Sequence, residues 1–322
     1  MFRKKVRSIF IRDDKVNPWL WVLIFTTLLA TPAGVLNKLM CAELDPFVII
    51  TVRYFLVSVI LLPLLFKHLE QYKEAIKKQL KWIILFGALA ALGAPAYIMA
   101  MSMTNASFIA IMDLLTPVIF VIISTLVTRD KLTRNAFIGI LFAVLGGSII
   151  LLLPIIFNWS GVAGFGLVPV LLILAYMITD AGFPVVLRKL DTKGLPLMLI
   201  LAIVFSETFI ISIILALTVH GPESFTALTT LPPWGWAIFL FQAVALSIAF
   251  RWFNTKAYEH LGTATTASVN YLYYALAISL PLILLGEQLP LEVIIGGIFI
   301  VIGIIFVRHH PHSHLHRTHG HM

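Results

Sequence analysis

The sequence predicts an all-α integral membrane protein, with ten transmembrane helices built as two five-helix repeats of opposite orientation. Three observations predict it: apolar stretches long enough to span a bilayer, basic residues confined to alternate connections, and a register shared by the two halves. Of the 322 residues, 60% are hydrophobic and 12% are charged, and the mean hydropathy is +0.99. Soluble proteins carry about 25% charged residues, whereas ~20 mostly apolar residues cross hydrocarbon as a helix.

The predicted spans of the first repeat, within 18–154, are Pro18–Leu39, Pro46–Phe66, Trp82–Met101, Ala106–Val127 and Ala136–Leu153. Those of the second, within 164–307, are Gly164–Leu187, Pro196–Leu217, Pro233–Tyr258, Ala264–Leu285 and Leu291–Val307. Pro18, Pro46, Pro196 and Pro233 fall at first turns, where proline removes no helical N–H bond. Residues 1–17 read as a basic cytoplasmic segment, and 308–322 as a histidine-rich cytoplasmic tail. The first apolar stretch is long and lacks a small-residue cleavage site, so it reads as a retained helix and not a signal peptide.

Charge placement sets the expected direction. Of the 23 lysines and arginines, Lys38, Arg53 and Arg251 fall well inside predicted spans, and Lys256 lies at the cytoplasmic end of the eighth. All the others lie on the side of the N-terminus, which is therefore read as cytoplasmic, together with the C-terminus. The net charge of +8 is accounted for by topology, so a nucleic-acid partner is not expected. The partners expected are the bilayer and a small-molecule substrate, with a monomer and a homodimer both compatible. Cys41 is the single cysteine, which excludes an intrachain disulfide and a multi-cysteine metal site. No cofactor is expected.

Aligning Leu132 with Leu289 also matches Gly139 with Gly296, Gly146 with Gly303, Ala110 with Ala267 and Asp130 with Glu287. An odd number of helices per repeat inverts the second copy. Inverted repeats can exchange conformations and so open a central site to one side and then the other. Gly139, Gly146, Gly296 and Gly303 recur on single helix faces, which suits close helix packing.

Three segments carry a family likeness: TVRYFLVSVILLPLL (51–65), NASFIAIMDLLTPVIFVIISTLVTRDKLTRNAFIGILFAVLGGSIIL (105–151) and ATTASVNYLYYALAISLPLILLGEQLPLEVIIGGIFIVIG (264–303). Within them stand an early arginine in the second helix (Arg53), Thr116–Pro117 in the fourth, and Gly286–Glu287 before the last. In these features the chain resembles the drug/metabolite transporter superfamily, in its ten-helix EamA-like branch. Asp113 and Arg129–Asp130 depart from the pattern. The resemblance implies a secondary transporter, often an exporter of amino acids or other metabolites, in the plasma (inner) membrane.

Ionisable groups at bilayer depth cost roughly 2.5–3.5 kcal/mol on insertion scales, so they need a partner, a cavity or a function. Glu207 lies ~18 Å into the seventh helix at 1.5 Å per residue. A carboxyl withdrawn from water holds a proton more readily, so Glu207 is the candidate for proton coupling. Asp113 and its repeat partner Asn270 are candidates to grip substrate, and Arg53 is a candidate carboxylate clamp. Tyr97 aligns with Asn254 and Thr116 with Tyr273, and Tyr274, Tyr176 and Gln242 complete the expected cavity lining. Asp180 and Arg251 both fall toward the cytoplasmic end and read as a gate pair, while Lys38 is expected to snorkel.

The resulting reading is a secondary active exporter of small metabolites working by alternating access, with proton coupling. The alternatives are a flippase or scramblase for lipid-linked substrates, or an exchanger of the nucleotide-sugar type. An intramembrane enzyme is disfavoured, because the chain has no H-E-x-x-H and no glycine-rich phosphate loop with lysine. Asp113 and Asp180 also fall at opposite depths. The tail histidines from His309 to His321 are read as solvated.

Overall fold

The computed structural model describes residues 18–128, 134–156, 167–190 and 194–308, with only the backbone described at several helical positions, including 151–156, 262–268 and 270. The basic N-terminus, Arg129–Asp130 and the histidine-rich tail lie outside the described residues. So does the side chain of Asn270.

Among the described residues the chain is helical and has no strand. The first apolar stretch is split into α1 (Pro18–Ala30) and α2 (Ala33–Glu43). Pro32 lies between them, where its ring and missing N–H interrupt the helical ladder. The helix α3 (Pro46–Leu69) has Pro46 in its first turn, and the Asp45 carboxylate accepts from the Phe47 N–H at 2.8 Å. That bond satisfies one orphan donor of the first turn. Next comes α4 (Lys73–Met103), which begins nine residues earlier than the predicted span. Its first turns are paired at the surface by Lys73–Glu70 and Lys77–Glu74, each at 3.1 Å.

The predicted fourth helix is broken into α5 (Ala106–Asp113) and α6 (Thr116–Thr128). The break falls just before Thr116–Pro117. Then follow α7 (Arg134–Ile156), α8 (Leu167–Lys189) and α9 (Leu197–Val219). A 3₁₀ turn, Pro222–Thr229, leads to α10 (Pro233–Phe241). A π-helical segment, Gln242–Phe250, joins α10 to α11 (Arg251–Leu284), and α12 (Leu291–Arg308) closes the chain.

The sequence predicts a connection near 259–263, but the structure keeps that stretch helical. The path nevertheless turns back. Gln242 bonds Asn37, His260 stacks on Trp19 at the other end of the α1–α2 pair, and Glu287 returns to Ala106. Ala106 in turn lies close to Thr104, whose carbonyl takes the Lys38 ammonium beside Asn37. A straight helix of this length would run ~50 Å, well beyond the hydrocarbon thickness.

Six helical stretches are long and apolar enough to cross a membrane: Pro18–Glu43, Pro46–Leu69, Lys73–Met103, Ala106–Val127, Leu197–Val219 and Pro233–Ala257. Shorter apolar helices cover Phe137–Ile150, Leu167–Phe183, Leu272–Leu284 and Leu291–Phe306. Large apolar side chains such as Phe25, Phe66, Leu92, Ile214 and Ile283 are exposed. In water that would be a liability, but hydrocarbon is their proper solvent.

The chain forms two compact units, which do not coincide with the sequence repeats. The first unit takes Met1–Ala110 and Phe165–Gln288, and the second takes Ile111–Gly164 and Leu289–Met322. Each therefore draws on both halves of the chain. In the first unit α3 packs on α9, and α4 packs on α8 and α9. Its core holds Val48, Ile49, Val57, Ile83, Leu199, Ile200, Val204 and Phe239.

The second unit is built on α7 against α12. Their backbones touch at two places along the stripe of seven-residue-spaced glycines. Gly146 abuts the Gly296 carbonyl, and Gly303 abuts Gly139 and Ala143. A methyl group at Gly146, Gly296 or Gly303 would strike the opposing backbone or the Ile150 side chain.

Candidate functional site

A charged and aromatic cluster lies within the first unit, and Arg53 is at its centre. Arg53 sits seven residues into α3. Its Nε donates to Ser247 Oγ at 3.0 Å, and Ser247 Oγ donates to the Gln242 carbonyl at 3.2 Å. That acceptor is five residues back, the spacing of a π turn. The π segment thus holds Arg53 through one hydroxyl. At its start, Gln242 Nε2 donates to Asn37 Oδ1 at 3.0 Å, and both side chains are buried.

Arg251 follows the π segment directly. Its Nη2 lies 3.6 Å from Asp180 Oδ1, and its guanidinium carbon lies 4.8 Å from the centre of the Phe183 ring. Arg251, Tyr54, Tyr97 and Tyr176 are all within electrostatic reach of Arg53. The rings of Tyr97 and Tyr176 meet at 4.7 Å, and those of Phe86 and Phe183 also at 4.7 Å.

Helical spacing explains the assembly. Tyr176, Asp180 and Phe183 are four and three residues apart, so they share one face of α8. On α4, Gly93 lies one turn before Tyr97 and leaves room for Tyr176 and Thr179, which a side chain there would meet. Asn254, one turn after Arg251 on α11, has a buried Oδ1 with no hydrogen-bond partner among the described residues.

The structure therefore brings together Arg53, Tyr97, Tyr176, Asp180 and Arg251. Asp180 and Arg251 are paired. Among the described residues no carboxylate pairs with Arg53.

Asp113 belongs to the second unit, is buried, and accepts from Thr116 Oγ1 at 2.6 Å. Tyr273 packs against Tyr274 at 5.4 Å and Phe250 at 6.5 Å. Gln242 donates its Nε2 to Asn37, while its buried Oε1 has no partner among the described residues.

Glu207, the proton-coupling candidate, lies on α9, and among the described residues it has no ion pair. Its carboxyl lies directly over Gly87 of α4, in space that any side chain at 87 would fill. Lys38 needs a correction. Its ammonium does not snorkel but donates to the Met101 and Thr104 carbonyls, at 3.0 and 2.6 Å. It thereby caps the C-terminal end of α4, where a positive charge is favoured.

Sequence reasoning missed three residues of this architecture: Ser247, Asn37 and Glu292. Serine and asparagine inside apolar helices carried a signal, since polar side chains there bond across helices. Glu292, in the second unit, is 1% exposed, and its Oε1 has no partner among the described residues. Glu287 has a defined role. It accepts from the Ala106 and Ser107 N–H groups, each at 2.8 Å, and from Ser107 Oγ at 2.6 Å. It caps the N-terminus of α5 from a distant part of the chain.

Apolar helices long enough to cross a bilayer define a multi-pass membrane protein. The profile of the EamA-like transporter family matches residues 17–152 and again 167–308, and the chain belongs to that family. The two matches follow the repeat seen in the sequence. A protein known from a crystal structure is similar over 90% of this chain and 96% of its own, with a TM-score of 0.56 at 15% identity. That likeness concerns the fold alone. Among curated proteins none matches this sequence.

Proposed function

We propose that the protein is a secondary carrier that exports small amphipathic metabolites of amino-acid size by alternating access. Ten membrane crossings, as two inverted repeats with both termini cytoplasmic, would serve that mechanism. The observation that carries the reading is the cluster of Arg53, Arg251, Asp180, Tyr97 and Tyr176 on α3, α11, α8 and α4. Charged groups at such depth are costly and mark solute pathways. Aromatic faces with a few convergent polar groups are what a small-molecule site needs.

The Asp180–Arg251 pair is partly exposed, with side-chain exposures of 29% and 42%. A pair of that kind can part and re-form at little cost, because exposed ion pairs contribute only about 0–1 kcal/mol. It suits a gate. Glu207, without an ionic partner among the described residues, is the candidate proton carrier, acting at a distance from the cluster through α4.

Purified protein in liposomes tests the proposal. Flux of a labelled amino acid or related metabolite that follows a pH gradient is the expected result. Glu207→Gln should abolish the response to the gradient and leave downhill exchange. Unchanged pH dependence in that variant ends the proton role. Absence of flux for every solute, from well-incorporated protein, ends the carrier reading.

A further inference from the structure

The carrier reading leaves open which chemical group the cluster grips. Resting on that reading, we infer that the cluster is selective for a monoanion: a small carboxylate with an apolar or aromatic body, held by its carboxylate at Arg53. Three observations carry this.

The first is the state of the Arg53 guanidinium. Its Nε is taken by a neutral hydroxyl, Ser247 Oγ, at 3.0 Å. Its two Nη groups have no acceptor among the described residues. These are the paired donors that fit a carboxylate bidentately.

The second is the charge balance. Arg251 is matched by Asp180 at 3.6 Å. Arg53 has no such match and lies within electrostatic reach of Arg251. The ion-paired part of the cluster is thus neutral, and Arg53 adds one positive charge in excess. A ligand carboxylate neutralises it. A ligand ammonium would add to it, because Asp180 is already paired with Arg251 and the open acceptor beside it, Asn254 Oδ1, is neutral.

The third is the lining. Tyr97 and Tyr176 stand together at 4.7 Å, and Phe183 lies between the Arg251 guanidinium and the Phe86 ring. Such faces receive an apolar or aromatic body. A zwitterion can still place its carboxylate at Arg53, but its ammonium gains nothing there.

The test uses four probes of one shape on the purified full chain in detergent: 3-phenylpropanoate, 3-phenylpropanamide, phenylalanine and phenethylamine. Thermal shift against concentration reads the affinities, since a ligand that binds the folded state raises its stability. The carboxylate is expected to bind about 10–100-fold more tightly than the amide, the scale of a charge-assisted pair. Phenylalanine should fall between them, and the amine should bind least. Arg53→Gln should erase the carboxylate's advantage. Arg53→Lys should keep part of it, because the charge remains and the fork is lost; this variant also serves if the glutamine variant does not elute as folded protein.

Equal affinity for the amide or the amine overturns the inference. So does no response to the carboxylate at millimolar concentration, or an advantage that survives Arg53→Gln. Liposome flux separates the two readings. Transport of the amine without the carboxylate would remove the monoanion inference and keep the carrier. Carboxylate-selective binding without flux of any solute would do the reverse.

Discussion

The glycines of α7 give adjacent positions with opposite expected outcomes. At Gly146 an added methyl carbon would sit 2.8 and 2.9 Å from Ile300 Cγ1 and N, and closer still to the Gly296 carbonyl. Two of those neighbours are backbone atoms of α12, so a rotamer change cannot relieve the contact. The helices must separate by roughly half an ångström to an ångström to restore ordinary contact, and crowding of this kind costs about 1–3 kcal/mol. At Gly147, one residue on, the same methyl would meet only Leu115 Cδ1 at 3.4 Å. There the helical gain of alanine over glycine, about 0.4–1 kcal/mol, is left to act. Gly146→Ala should therefore melt below wild type and Gly147→Ala at or above it. The gap of about 2 kcal/mol corresponds to several degrees at ~2–4 °C per kcal/mol. Size-exclusion recovery after heating in detergent measures it. Equal melting of the two variants, or a more stable Gly146→Ala, refutes the backbone contact and with it the packing of α7 on α12.

Glu287→Gln retains one acceptor but presents an amide to donors at the start of α5. It should lower stability by about 1–2 kcal/mol, seen as earlier melting. Lys38→Met keeps the length of the side chain and leaves the Met101 and Thr104 carbonyls without their charged donor. A loss of about 1–3 kcal/mol is expected by the same assay. Gly87→Ala displaces the Glu207 carboxyl, so its flux should show the same altered response to a pH gradient as Glu207→Gln; a wild-type pH profile would dissociate Glu207 from coupling. Reporter fusions in 67–81 and 218–232 should report opposite faces of the membrane, and placement on the same face would contradict the inverted repeat.

Much of the architecture is legible without coordinates. Hydropathy is a property of the chain read in order, and the bilayer tests it segment by segment. That is why the apolar spans, the alternation of basic connections and the EamA-like repeat emerge from residues alone. The glycine stripe is legible for a related reason: seven-residue spacing keeps Gly139 and Gly146, and Gly296 and Gly303, on one side of each helix whatever lies opposite. The break at Thr31–Pro32 was not foreseen: the sequence reads Pro18–Leu39 as one span. The π segment was not legible, because nothing in QAVALSIAF distinguishes five-residue closure from four.

Residue order is thus enough to establish a membrane-embedded helical transporter of repeated design, and which residues share a face of each helix. Which of those faces meet is settled only in the packed molecule. Ser247 holds Arg53 from 194 positions away, Arg251 pairs with Asp180, and Glu287 caps a helix that begins at Ala106. Helix periodicity fixes the direction of a side chain relative to its own axis. The rotation of one axis against another is set by contacts distributed over the whole bundle, including backbone approaches that only glycine permits. Glu207 shows the consequence: its depth could be counted from the sequence, but its seat over Gly87 depended on how α9 turns against α4.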